Sequence, residues 1–142
     1  MRYLILFLFL VACAKPNYQE AAPVTVENQK AENCNLFLSV KRLCTTFEWE
    51  SAPNVTTPGS FLFKFYVQET PTVFSDPTET VFVQLWMPSM GHGSTPVTVE
   101  KIKAGEYRAS DVFFIMPGEW EIRIQLKDAQ NVVDQVVKKI TL

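Results

Sequence analysis

Past residue 34 the chain alternates between apolar and polar positions. Leu43, Thr45, Phe47 and Trp49 stand in one phase, with Cys44, Thr46, Glu48 and Glu50 in the other. A period of two sets successive side chains on opposite faces of a strand. The same alternation runs through Phe61, Phe63, Phe65 and Val67, through Val81, Val83, Leu85 and Met87, and through Val97 and Val99. It is cleanest where Trp120, Ile122, Ile124 and Leu126 are set against Glu119, Glu121, Arg123, Gln125 and Lys127, which predicts one dry face and one wet. Between Gly105 and Met116 the apolar phase shifts from Tyr107 and Ala109 to Val112 and Phe114, which predicts a bulge near Ser110 and Asp111. Val133, Val136, Val137 and Ile140 fit helical spacing as well as a strand, and their β-branched density favours the strand.

About seven such strands, separated by turn-rich stretches over about 110 residues, predict an all-β, immunoglobulin-like sandwich of antiparallel strands. Consecutive strands then run up and down, so counting assigns each loop to a pole. With 43–50 running up, loop 51–60 is at the top and loop 69–79 at the bottom. Strand 80–87 rises to a top loop at 88–96, 97–103 descends, and 106–115 rises to a top turn at 116–118. Both Met-Pro stretches, Met87-Pro88 and Met116-Pro117, are therefore expected at one pole.

Composition narrows the class. The chain has 142 residues, 47% hydrophobic and 20% charged, with 13 basic against 15 acidic side chains. That is one domain's length, and the charge balance lacks the basic excess of a nucleic-acid binder. Eleven Phe and three Trp supply the apolar surface that disordered chains lack. The uninterrupted apolar run from Tyr3 to Ala14 falls short of the ~20 residues of a membrane helix. Arg2, an apolar stretch from Tyr3 to Val11 and the small Ala12 have signal-peptide anatomy instead, with residues 1–12 as the signal. Leu10-Val11-Ala12-Cys13 resembles a bacterial lipobox, which implies diacylglycerol on the Cys13 thiol and cleavage before it. Acyl chains add ~0.8 kcal/mol per buried CH₂, so several on one cysteine hold a protein on a membrane. The expected place is the bacterial cell envelope, facing the periplasm or exterior, and Ala14 in place of an aspartate favours the outer membrane. Residues 13–32, rich in Pro, Ala, Asn, Gln and Glu, read as a tether, and 33–142 as the folded domain.

With Cys13 lipidated, Cys34 and Cys44 remain as a pair in an exported chain, where disulfides persist. A bridge is expected, closing a loop of about ten residues and contributing ~2–3 kcal/mol by the loop-entropy account. The alternative, two thiolate metal ligands, lacks the short spacing of a preformed site.

Beyond the initiator, the methionines are Met87, Met90 and Met116, and the single histidine is His92. All fall in the two top loops, beside Trp86 and Trp120. Thioether and imidazole suit Cu(I), and a neutral site of this kind binds it near neutral pH. Met90 and His92 are the foremost candidate ligands, with Met87 and Met116 behind them. Gly91 and Gly93 would let His92 turn toward Met90, and an adjacent indole could shield the cation. A structural account stands beside this one: Met87 continues the inward phase of its strand, Met116 can plug the sandwich end, and Pro117-Gly118 suits a type II turn.

The residues then reach a resemblance. W-M-P-S-M-G-H-G at 86–93, G-E-Y-R at 105–108 and M-P-G-E-W-E-I-R-I at 116–124 resemble the YtkA-like domain family and the related FixH-like domains of bacterial envelopes. The resemblance implies an immunoglobulin-like extracytoplasmic module, tethered to a membrane and associated with copper handling or oxidase assembly. A lipobox in place of a membrane helix separates this chain from FixH-like proteins.

No enzyme is expected. His92 has no nucleophile-elbow motif near it, and Glu48, Glu50, Glu119 and Glu121 alternate on strands whose other face is core, as solvated carboxylates do. Two readings remain: a lipid-tethered module that binds or delivers copper, working with a copper-handling envelope protein, and a metal-free module that docks an envelope protein. Phe82 and Trp86 favour the second, because they occupy the phase opposite Val83, Leu85 and Met87 and could face a partner.

Overall fold

The computed structural model describes residues 34–142; the expected signal, the Cys13 anchor and the tether fall outside the described residues. Eleven strands follow in order: β1 (Phe37–Leu38), β2 (Leu43–Thr45), β3 (Glu48–Ser51), β4 (Gly59–Val67), β5 (Thr70–Phe74), β6 (Thr80–Met87), β7 (His92–Gly93), β8 (Thr98–Lys103), β9 (Glu106–Val112), β10 (Glu119–Asp128) and β11 (Asn131–Thr141). One sheet has the order β1-β2-β4-β9-β8, with β3 and β5 also paired to β4, and the other the order β11-β10-β6-β7. All pairings are antiparallel. Phe61, Phe63, Phe65, Tyr107 and Ala109 of the first sheet close on Val83, Leu85, Met87, Trp120, Ile122, Ile124 and Leu126 of the second. The fold is an immunoglobulin-like β-sandwich.

The strand count exceeds the expected seven for local reasons. The single strand expected over 43–50 breaks at Thr46–Phe47: Leu43–Thr45 pairs with Phe65–Val67, whereas Glu48–Ser51 pairs with Ser60–Leu62. Thr46 bridges the break, its N–H donating to the Lys64 carbonyl at 3.0 Å and its hydroxyl accepting from the Lys64 N–H at 3.2 Å. The expected bottom loop 69–79 contains β5, which is exposed throughout; with no buried face, a strand shows no alternation. β1 and β7 have two residues each, too short for a period to register.

The bulge falls where the phase shift places it. Gly59 pairs with Val112 and Phe61 with Ala109, so β9 carries one extra residue. Asp111 takes φ +60° there, a conformation Asp tolerates better than most residues. The extra residue returns Val112 and Phe114 to the core, both fully buried. The final segment is the strand β11.

Cys34 and Cys44 are joined as a disulfide, their Cα atoms 5.7 Å apart, and brace the β1–β2 hairpin in which Phe37 pairs with Cys44. At the far side of the first sheet, the G-E-Y-R segment is anchored on one carboxylate. Asp76 accepts from Lys101 Nζ (2.8 Å), the Gly105 N–H (2.8 Å) and the Tyr107 hydroxyl (3.0 Å). Gly105 is required at this point: it has φ +66°, and a Cβ would stand 2.8 Å from Phe74 Cβ and from the Ser75 nitrogen. Arg108 makes a two-pronged contact with Glu50 at 2.8 and 2.9 Å.

The Asp76 hub makes stability depend on pH at both ends. Lys101 foremost, then the Gly105 N–H and the Tyr107 hydroxyl, hold the Asp76 carboxyl below its ordinary range. Its contribution is present above the ordinary carboxylate range and is lost as pH falls through the lowered value. Burial, with Asp76 beside it, pushes the Tyr107 hydroxyl up to about 12. That contribution is complete below the ordinary tyrosine value, about 10, and is lost as pH climbs toward about 12. Thermal unfolding followed across alkaline pH should show a declining limb over that interval, and Tyr107→Phe should flatten it. An equally steep limb in the variant would contradict the assignment.

Candidate functional site

The two Met-Pro stretches do meet at one pole. β6 ends at Met87, and the chain returns through Pro88–Gly91 into β7, with Trp86 opposite Gly93 and Met87 opposite His92. The loop is closed by the N–H groups of Met90 (3.2 Å) and Gly91 (2.9 Å), both donating to the Met87 carbonyl. Gly91, with φ +65°, supplies the left-handed residue that turns the chain back. Directly opposed residues on antiparallel strands share a face, with Cβ atoms about 4.5–5.5 Å apart, so His92 lies beside Met87 on the inner face of the second sheet. Met87 is only 3% exposed.

Trp120 completes that face. The β6–β10 register, with Glu121 opposite Trp86, carries it alongside Met87. Its ring meets His92 edge-on at 6.0 Å and Phe114 at 5.2 Å, and its indole N–H donates to the Met116 carbonyl at 3.0 Å. Met116 is half-buried against the core. The turn after it lies over Met87: a Cβ on Gly118 would stand 2.7 Å from the Met87 methyl carbon.

The expected type II turn at Pro117-Gly118 does not form. Gly118 has φ +138°, well beyond the value near +80° of such a turn. Its N–H donates to the Leu142 carbonyl at 3.1 Å, and its carbonyl accepts from the Leu142 N–H at 3.0 Å. The 116–118 segment is thus clipped to the chain beyond β11 instead of closing on itself.

His92 Nδ1 is 2.9 Å from the Gly93 carbonyl. A carbonyl only accepts, so Nδ1 carries the proton in this bond, and in the neutral tautomer Nε2 is the nitrogen open to another partner. Met90 is placed differently from Met87 and Met116. It stands at the tip of the β6–β7 loop and is 61% exposed, and the residue opposite His92 is Met87, not Met90. Among the described residues no group of three or more His, Cys, Asp or Glu is arranged to hold a metal ion.

Phe82 and Trp86 lie half-buried on the outer face of β6, an inner strand of its sheet. Lys127 Nζ sits 3.6 Å over the Phe82 ring and the Arg123 guanidinium 5.0 Å over Trp86; burial lowers Lys127 from the ordinary lysine range. Between them Gln125 Nε2 donates to Gln84 (3.4 Å) and Gln135 (3.1 Å). Trp120 is thus the indole on the inner face at this pole, whereas Trp86 points away and carries Arg123. An open groove of about 310 Å³ borders the pole, lined by Pro88, Trp120 and Ile140 together with Glu119, Glu121 and Lys139.

That the two Met-Pro stretches share a pole was legible from chain direction, whereas the Asp76 hub was not. Its donors, Gly105 and Tyr107, lie 29 and 31 residues away, and a lone aspartate before a proline signals only a turn.

The profile of the YtkA-like family matches residues 46–125, from just before β3 into β10. All three motif segments lie inside the match, while the disulfide-braced hairpin and β11 lie outside it. No curated protein and no solved structure matches the chain at a significant level. The family match spans more than half of the chain, and the protein belongs to the YtkA-like family.

Proposed function

We propose that this protein is a non-enzymatic module, tethered to the bacterial envelope through lipid on Cys13, that binds Cu(I) at its top pole and delivers it to a copper-handling partner. The observation that carries this reading is the pairing of Met87 with His92 under the Gly118 turn, with His92 Nδ1 engaged by the Gly93 carbonyl. Soft thioethers and a neutral imidazole form a donor set matched to Cu(I). A backbone acceptor on the other ring nitrogen is the usual way a ligating histidine is oriented. Met87, His92 and Met116 are the donors assigned here, with Met90 at the entrance. Copper is the cargo and stays Cu(I) throughout.

An anaerobic Cu(I) titration of the full chain in detergent against a competing chelator tests this. Met87→Leu conserves volume, so the fold should survive it. His92→Ala and Met87→Leu should each weaken binding by at least the ~10- to 100-fold that a ligand's outer-shell partner is worth. Wild-type affinity no greater than that of both variants would overturn the proposal.

A second reading, a metal-free docking module for an envelope protein, draws on the outward rings of Phe82 and Trp86. It expects the Phe82→Ser, Trp86→Ser double variant to lose a partner that the wild-type chain retains from envelope extracts. Retention by the double variant would count against it.

A further inference from the structure

We infer that Met90 is the exchange ligand of this site: the exposed thioether that receives Cu(I) at the entrance and carries it during hand-over to another molecule's soft donor. The inference rests on the Cu(I) reading above and goes beyond it by dividing the donors into holders and a carrier. Three observations carry it.

The first is the contrast in exposure within one loop. Met87 is 3% exposed and Met90 61%, although the Met90 N–H is bonded to the Met87 carbonyl at 3.2 Å. One thioether is shut under the Gly118 turn, and the other stands in solvent a single turn of chain away. The second is the space at the tip: a Cβ added to Gly91, beside Met90, would meet nothing within 4 Å, so an incoming donor has room there. The third is chemical: an exposed apolar side chain is costly to hydrate, and Met90 is absent from the core and from the residues packed against it.

Hand-over needs no electron transfer. A bond from copper to the acceptor's donor atom forms as one from copper to His92 or Met87 breaks, and Met90 occupies a coordination position while both are partial. A group that interacts only in the transition state changes the forward and reverse rates together.

The test follows the direction of a rate change. The full chain in detergent is loaded with Cu(I) anaerobically and mixed rapidly with excess bathocuproine disulfonate, whose colour reports transfer. Removing a holder, as in Met87→Leu or His92→Ala, should speed transfer, because the bound state is weakened. Met90→Leu keeps apolar bulk and removes only the sulfur. It should slow transfer by about tenfold, the equivalent of ~1.4 kcal/mol in the barrier, while equilibrium affinity falls by less than in Met87→Leu. Ile115→Ala, which trims another exposed apolar side chain, 45% exposed, should leave the transfer rate as it is. Faster or unchanged transfer in Met90→Leu, with wild-type binding intact, would overturn the inference and leave the site standing. A wild-type chain that binds no Cu(I) would overturn both.

Discussion

Replacing Trp120 with alanine is expected to lower the free energy of unfolding by roughly 3–5 kcal/mol, the range for deleting a large aromatic from a packed core. Trp120 is almost wholly buried. It contacts Phe114 and His92 edge-on, and its indole N–H is the donor to the Met116 carbonyl. The truncation therefore opens a cavity and also leaves a backbone acceptor without its partner. Domains of this size have only about 5–15 kcal/mol in total, so urea denaturation should show a large shift in midpoint. Trp120→Phe separates the two effects: it keeps most of the ring and drops the donor, for an expected loss of about 1–3 kcal/mol from the orphaned acceptor and lost volume. A loss under about 1 kcal/mol in the alanine variant would contradict this account, since such truncations typically cost about 3–5 kcal/mol.

The second large effect is expected at the opposite pole. Asp134 on β11 is buried, and its Oδ2 accepts the N–H groups of Val40 and Lys41, both at 2.9 Å, while Oδ1 accepts from the Gln135 N–H at 3.0 Å. One carboxylate so fastens the turn of the disulfide-braced hairpin to the last strand. Hydrogen bonds to an ionised acceptor contribute about 1.5–3 kcal/mol each. Asp134→Ala removes two that cross between sheets, so a loss of about 3 kcal/mol is expected. Asp134→Asn, which keeps one amide oxygen as an acceptor, should cost less. Amide exchange gives the local readout: the Val40 and Lys41 N–H groups should exchange much faster in the alanine variant. Unaltered protection at both, with stability unaltered, would rule out the fastening role.

The alternation of Phe61, Phe63 and Phe65, and of Trp120, Ile122 and Ile124, was legible as strands because each has one dry face; the period of two is a direct record of that asymmetry. The extra residue at Ser110–Asp111 was legible for the same reason, as a change of phase in the record. β5 was not, because it is exposed on both faces and burial left no imprint on its side chains. The split of 43–50 was hidden too: Phe47 and Trp49 keep the alternation going while the backbone exchanges one stretch of β4 for another.

Chain direction alone placed Met87, Met90, His92 and Met116 at one pole, since antiparallel strands can only go up and come down. Which thioether stands across from the imidazole was beyond the linear order, in which Met90 is nearer to His92 than Met87 is. The hairpin decided it: a four-residue loop sets Met87 opposite His92 and turns Met90 out to solvent. The sequence by itself determined the all-β class, the dry faces and the pole that carries Met87, Met90, His92 and Met116, because these follow from periodicity and direction along the chain. Only the tertiary structure decided the register across the β6–β7 hairpin, the Gly118 turn over Met87 and the carboxylate anchors at Asp76 and Asp134. Each of those is a hydrogen bond or close approach between residues that are distant in sequence or brought face to face by a turn, and no local pattern encodes such partners.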